Sequence, residues 1–290
     1  MSKRKLISFD WAMKRLLRSK ANFDILEGFL SELLRDDIQI LEILESESNK
    51  ETALDRFNRV DLKVRNRQDE IIIIEVQYDR ELDYLQRILF GTSKTITEHF
   101  REGKPYAEIV KVISVNILYF DLGQGKDYVY HGSTFFRGVH QNDILRLSGN
   151  QQEVYRKEEV HQLFPEYYLI KINSFDDIAK DSLDEWVYFL KNEEIREEFQ
   201  AKGLKKAKQV LDIMKLPDEE RLAYERYQED LHYQASIFHS SYYCGIKEGE
   251  KQKAFQIAAS LLDVLDPETI AAKTGLTVDE IEGLRREQNK

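Results

Sequence analysis

Apolar and polar positions alternate along this chain with more than one period, and each period predicts a different element. Phe23, Leu26, Phe29, Leu30, Leu33 and Leu34 recur at steps of three and four, which lines one face of a helix. Another helix is expected before it, and a strand after it over 38–44. Residues 46–52 are polar and carry no period. Val60, Leu62 and Val64 then alternate with Asp61, Lys63 and Arg65, the period-two signature of a strand. The polar run 66–70, with Asn66 and Asp69, reads as a hairpin turn. Four consecutive isoleucines, Ile71 to Ile74, lead into Val76 and predict a strand buried on both faces. A helix follows from Glu81 to Arg101, ending near Gly103 and Pro105, and a second buried strand spans Val110 to Phe120. Gly123 and Gly125 mark a turn, with shorter strands at 128–130 and 167–172.

From Asp176 onward the pattern is helical, with helices expected over Ser182–Lys191, Glu194–Met214 and Asp218–Tyr242. Pro217 and Pro267 each stand before acids, as in a first helical turn. This divides the chain into an α/β part over 1–175, a helical region over 176–240 and a C-terminal helical tail over 241–290. In the tail, a short helix over 267–274, a turn at Gly275 and a second helix opened by the capping-box spacing of Thr277 and Glu280 outline a helix-turn-helix. That second helix begins Val278-Asp279-Glu280, and acids there oppose phosphate. Packing, or homo-oligomerisation through the C-terminal helices, is the competing use of the tail.

Composition narrows the classes. The 290 residues carry 43 basic and 53 acidic side chains, a net charge of −10. The charged share of 33% exceeds the ~25% of ordinary globular proteins, which fits many solvated helix faces. Fifteen Tyr, 15 Phe and two Trp exclude wholesale disorder. The single Cys244 excludes an internal disulfide and a cysteine-based zinc site, and the six histidines lack zinc-ligand spacing. No apolar run approaches the ~20 residues of a membrane helix. Asp10, Lys14 and Arg15 interrupt any signal-peptide core, so a cytoplasmic protein without membrane contact is expected. No phosphate-cradling loop, nucleophile elbow or kinase motif set is present. Net charge is a global sum, whereas binding is local. Within the first twenty residues, seven bases face Asp10 alone, and Lys14, Arg15 and Arg18 are candidate contacts to DNA phosphate.

The chemistry concentrates around the isoleucine strand. Glu75 ends that run and Gln77, two residues on, points from the same face. A short hairpin brings Asp61 close to both. A carboxylate there is costly to bury unless paired or metal-bound. Two adjacent carboxylates repel, and a divalent cation relieves them. Magnesium suits one or two carboxylates with water and phosphate. Other pairings stay open: Asp61 with Arg59 or Lys63, Glu75 at a solvated strand end, and Arg87 with Asp83 four residues back on a helix surface. Lys63 has a second reading as a plain strand-surface lysine. Glu27 and Glu32 are either further ligands from the N-terminal helix or solvated acids.

The segment Asp55-Arg56-Phe57-Asn58-Arg59-Val60-Asp61-Leu62, the hairpin and Ile74-Glu75-Val76-Gln77 together resemble the PD-(D/E)xK nuclease superfamily. Within it the chain is similar to the Rpn (YhgA-like) family of recombination-promoting nucleases and transposases. Ser8 to Leu17 resembles that family's opening Asp-x-x-Phe-Lys-x-Leu-Phe segment, with Met13 in place of the usual aromatic. Tyr84-Leu85-Gln86-Arg87 is similar to its arginine-bearing helix. Tyr243-x-Gly245-x-x-Glu248-Gly249, Ala258 to Leu265 and Ile270 to Ile281 resemble its C-terminus. Residues 125–235 carry no such motif. The resemblance implies a restriction-endonuclease-like α/β core, a central mixed sheet flanked by helices, with an all-α C-terminal extension. It implies a magnesium- or manganese-dependent DNA endonuclease tied to recombination or mobile elements. Asp61 and Glu75 would be metal ligands, with the Val76 carbonyl as a third. Gln77 stands where the superfamily signature has lysine, so Lys63 or Arg87 is expected to supply the missing positive charge. The same glutamine keeps open a DNA-binding or interaction protein with a catalytically weak or relict nuclease core.

Overall fold

The computed structural model describes residues 6–44 and 62–288. These fall into two compact units, Met1–Pro217 and Asp218–Lys290. The first unit begins with helices α1 (Phe9–Arg15) and α2 (Phe23–Leu34). Strand β1 (Ile40–Ile43) follows, then the β2 (Leu62–Asn66) and β3 (Ile71–Gln77) hairpin. Helix α3 (Tyr84–His99) leads to β4 (Val112–Leu118) and β5 (Val129–Gly132). Helix α4 (Gly149–Tyr155), β6 (Glu166–Lys171), α5 (Ser182–Asn192) and α6 (Leu204–Val210) complete it.

Among the described residues, six strands form one mixed sheet in the order β1-β2-β3-β4-β6-β5. β3 and β6 run parallel to β4, and the other pairings are antiparallel. The β2–β3 hairpin turns where Asn66 and Asp69 predict it. The Asn66 side chain accepts from Glu70 N at 2.8 Å, and Asp69 takes the left-handed conformation with φ 58°. Every residue of β4 is buried, as is all of β3 except Gln77, which accounts for their uninterrupted apolar runs. Odd positions of β3, Ile71, Ile73, Glu75 and Gln77, share one face. Ile71 and Ile73 pack there with Val112 and with Ile96 of α3. Aromatic rings from α1, α2 and α5 form a second core cluster. Phe9 meets Phe29, Trp186 and Phe189 edge-on at 5.6, 6.1 and 6.2 Å.

The helix expected over Glu194–Met214 is not continuous. Residues 193–203 are irregular, and α6 starts only after Gly203, whose φ is 85°. Acids hold this segment: Glu185 accepts from Gln200 N and Ala201 N at 2.8 and 2.6 Å, and Glu32 from Lys202 N at 3.1 Å. Gly28 of α2 lies against it so closely that a Cβ there would stand 2.2 Å from the Lys202 carbonyl oxygen. Periodicity continues through the segment, but backbone carbonyls of α2 and a left-handed glycine interrupt the helix.

The second unit consists of α7 (Asp218–Leu261), α8 (Pro267–Thr274) and α9 (Val278–Gln288). α7 continues well beyond the expected Tyr242. Ala258, Leu262, Ile270, Leu276 and Ile281 form a small core between its last turns and the two short helices. The capping box forms: Thr277 N donates to Glu280 Oε2 at 2.9 Å and Glu280 N to Thr277 Oγ1 at 3.3 Å. Among the described residues, no helix is long and apolar enough to cross a membrane.

Candidate active site

The sheet and α3 bring six side chains together near the C-terminal end of β3. Glu75 is 8% exposed and stands beside Asn116 in the parallel β3–β4 register. The Tyr84 hydroxyl, from the first turn of α3, lies between them, 3.3 Å from Glu75 Oε2 and 3.0 Å from Asn116 Oδ1. Its single proton serves one acceptor at a time. Asn116 is oriented by donating from Nδ2 to the Tyr168 carbonyl at 3.1 Å and to Ser114 Oγ at 3.0 Å. Burial and the neighbouring Glu75 charge push the Tyr84 pKa well above its ordinary value, so Tyr84 stays a neutral donor.

One helical turn along α3, Arg87 joins two acids. Its Nη2 lies 3.3 Å from Glu75 Oε1 and its Nη1 2.5 Å from Glu81 Oε1. Burial works against the guanidinium charge, but Glu75 and Glu81 outweigh it and hold the Arg87 pKa above the ordinary value. The guanidinium also sits 5.8 Å from the Tyr84 ring centroid. Gln77 closes the group, donating from Nε2 to Glu81 Oε1 at 2.9 Å and to the Asp79 carbonyl at 3.2 Å. The buried Glu75, Asn116 and Tyr84 and the half-buried Gln77, Glu81 and Arg87 thus form one network across β3, β4 and α3.

Other candidates stand elsewhere. Asp61 lies outside the described residues. In sequence it precedes Leu62, which pairs with Ile74, the residue before Glu75. Val76 pairs with Ile117, and its side chain faces away from Glu75. Lys63 is not a surface lysine: it is 4% exposed, and its Nζ bonds Glu98 Oε2 near the far end of α3 at 2.9 Å. The Arg87 side chain reaches across to Glu75 on the sheet and to Glu81, while the Asp83 carbonyl accepts from its backbone N–H at 3.1 Å. Glu27 and Glu32 are occupied structurally rather than solvated: Glu27 accepts from Ile40 N at 2.8 Å, and Glu32 from Ser182 and Lys202. Lys14, Arg15 and Arg18 are exposed at or just beyond the end of α1. Lys14 pairs with Asp10 at 2.7 Å, and Arg15 lies 5.6 Å from the Trp11 ring centroid. Sequence reasoning had not singled out Asn116 or Glu81. Asn116 carries a signal, an amide inside the run Val-Ile-Ser-Val-Asn-Ile-Leu, whereas Glu81 looks like any acid ahead of a helix.

The donor set is hard oxygen: the Glu75 and Glu81 carboxylates and the Asn116 and Gln77 amides. Glu75 with one further acid suffices for magnesium, which needs one or two carboxylates and completes its shell with water and phosphate. Among the described residues, no three His, Cys, Asp or Glu side chains stand together as a metal site. Among the described acids, Glu81 is linked to Glu75 through their shared partner Arg87.

A mixed sheet with flanking helices, a hairpin feeding a buried Glu-x-Gln strand and an arginine-bearing helix across it define the α/β fold of the PD-(D/E)XK nucleases. Residues 7–241 match the family model described as PD-(D/E)XK nuclease family transposase, and the chain belongs to that family. No curated protein and no solved structure gave a significant match.

Proposed function

We propose that the chain is a magnesium- or manganese-dependent DNA endonuclease that hydrolyses phosphodiester bonds in recombination or mobile-element traffic. The observation that carries this reading is Glu75: a buried carboxylate at the end of an apolar strand, balanced by Arg87, with Gln77 on the same face. The strand lies within residues 7–241, which match the nuclease family, and Glu75 and Gln77 resemble the acid and lysine positions of its signature.

Asp61 and Glu75, with the Val76 carbonyl, would hold the cation. When bound, it would lower the pKa of a water and offset phosphate charge. Gln77 orients the attacking water through its amide, having neither the charge nor the basicity of a lysine. Arg87 supplies the positive charge beside the reacting phosphate, and its planar fork suits two phosphate oxygens. Lys63 is the weaker candidate for that task, because Glu98 already balances it. Tyr84 and Asn116 position Glu75. Lys14, Arg15 and Arg18 would contact the DNA backbone without reading sequence.

A second reading, a DNA-binding protein with a weak or relict core, is favoured by one feature. Both Glu75 oxygens and the Gln77 amide already have protein partners. A plasmid-nicking time course separates the two. Cutting that needs magnesium, stops in EDTA and is lost in Asp61→Ala and Glu75→Ala supports the nuclease. Intact DNA binding without cutting in magnesium or manganese supports the relict core.

A further inference from the structure

From His232 to Lys253, every residue of α7 is exposed, yet this stretch is not polar all round. Leu231, Ala235, Phe238 and Tyr242 follow one another at steps of four, three and four, and Gly245 and Gly249 continue the series. That is the 3.5-residue period of a left-handed coiled-coil seam. Phe238 and Tyr242 are each 62% exposed, and their rings stack along the seam, 6.4 Å between centroids. Helices α8 and α9 do not use this face. They pack on Ala258 and Leu262, and the nine residues from Gly249 to Ala258 turn the helix by about 900°, to its opposite side. Helices of this kind owe most of their stability to a packed apolar face. Glycines inside an exposed helix weaken it further, but on a seam they leave room for a partner's bulk.

We propose that α7 pairs antiparallel with α7 of a second copy of the chain. In an antiparallel seam the two heptad positions alternate across the interface. Leu231 then faces the partner's Tyr242, Ala235 faces the partner's Phe238, and the two-fold repeats both layers. Gly245 faces the partner's Gln228. Each layer sets a large side chain against a smaller one, as close packing requires. A parallel pair would stack Phe238 on Phe238 and leave glycine opposite glycine.

Charge selects the same direction. Residues 218–230 carry six acids against Arg221 and Arg226, while 247–253 carry three lysines against Glu248 and Glu250. Antiparallel pairing lays the acidic end beside the basic end, and parallel pairing lays acid on acid. An occupant must carry this period with the reverse order of size and charge, and the chain itself does so when read backwards.

The test uses the full chain in light scattering coupled to gel filtration at tens of micromolar. The expected mass is twice the 34.3 kDa of one chain. Phe238→Glu with Tyr242→Glu keeps two good helix formers and should weaken association by on the order of tenfold or more, with helical ellipticity unchanged. For direction, chains carrying His232→Cys are mixed with chains carrying His239→Cys, each also with Cys244→Ser. Disulfides between unlike chains are expected. A wild type of single-chain mass, a double variant that associates as before, or absence of the mixed disulfide would each overturn the proposal.

Discussion

Arg87 is the most informative position to perturb, because its guanidinium is the described counter-charge for Glu75. Arg87→Ala removes a 3.3 Å contact to Glu75 and a 2.5 Å contact to Glu81, where the side chains are 19%, 11% and 31% exposed. An exposed ion pair contributes only ~0–1 kcal/mol, whereas losing one partner of a fully buried pair costs ~3–5 kcal/mol. This arginine lies between those limits, and a hydrogen bond to a charged group contributes ~1.5–3 kcal/mol. A loss of about 2–3 kcal/mol at neutral pH follows. Most of it is the cost of leaving Glu75 charged and nearly buried without this counter-charge. In a Glu75→Gln background that cost disappears, and Arg87→Ala should then remove only about 1 kcal/mol, the share of Glu81 and of packing on the Tyr84 ring. Urea unfolding followed by tryptophan fluorescence measures the cycle, since Trp11 and Trp186 both lie in the first unit. Equal losses in the two backgrounds would refute the account of Arg87 as the partner of Glu75.

Three further outcomes follow from the same geometry. Tyr84→Phe takes the hydroxyl from Asn116 Oδ1 and Glu75, both buried, and should cost about 1–2 kcal/mol in the same urea assay; no change would mean that the hydroxyl is not a working donor. Gly28→Ala drives a Cβ to 2.2 Å from a backbone carbonyl, so the 193–203 segment must lift from α2; a loss above ~3 kcal/mol is expected, and a neutral substitution would contradict that close approach. Backbone hydrogen bonding at Thr277, helped by Lys251, lowers the Glu280 pKa from 4.5 to about 2. Because the folded value is depressed, the stabilisation is complete above about 4.5 and is lost as pH falls towards about 2. An NMR titration of the Glu280 carboxyl should show that low midpoint, and an ordinary one would mean that the capping box is open in solution.

Much of this architecture is legible in the chain because its signals are local. Four isoleucines make a buried strand wherever they stand, and strand parity alone puts Glu75 and Gln77 on one face. Asn66 and Asp69 locate the hairpin, and Thr277 with Glu280 opens α9, because turn and cap chemistry act over three or four residues. The partners of charged side chains were not legible, since they depend on which elements meet. Spacing offered Asp83 to Arg87 and solvent to Lys63. The packing of α3 on the sheet gave Arg87 to Glu75 and Glu81, and carried Lys63 inside to meet Glu98. The break before α6 was hidden for the same reason: a helical pattern continues through a segment that α2 and Gly203 hold irregular. The sequence by itself determined the strands, the hairpin and the shared face of Glu75 and Gln77, because periodicity and local hydrogen bonding decide those. Tertiary structure decided the electrostatics of the site, because a charge buried between a helix and a sheet must take whatever counter-charge their packing brings within reach.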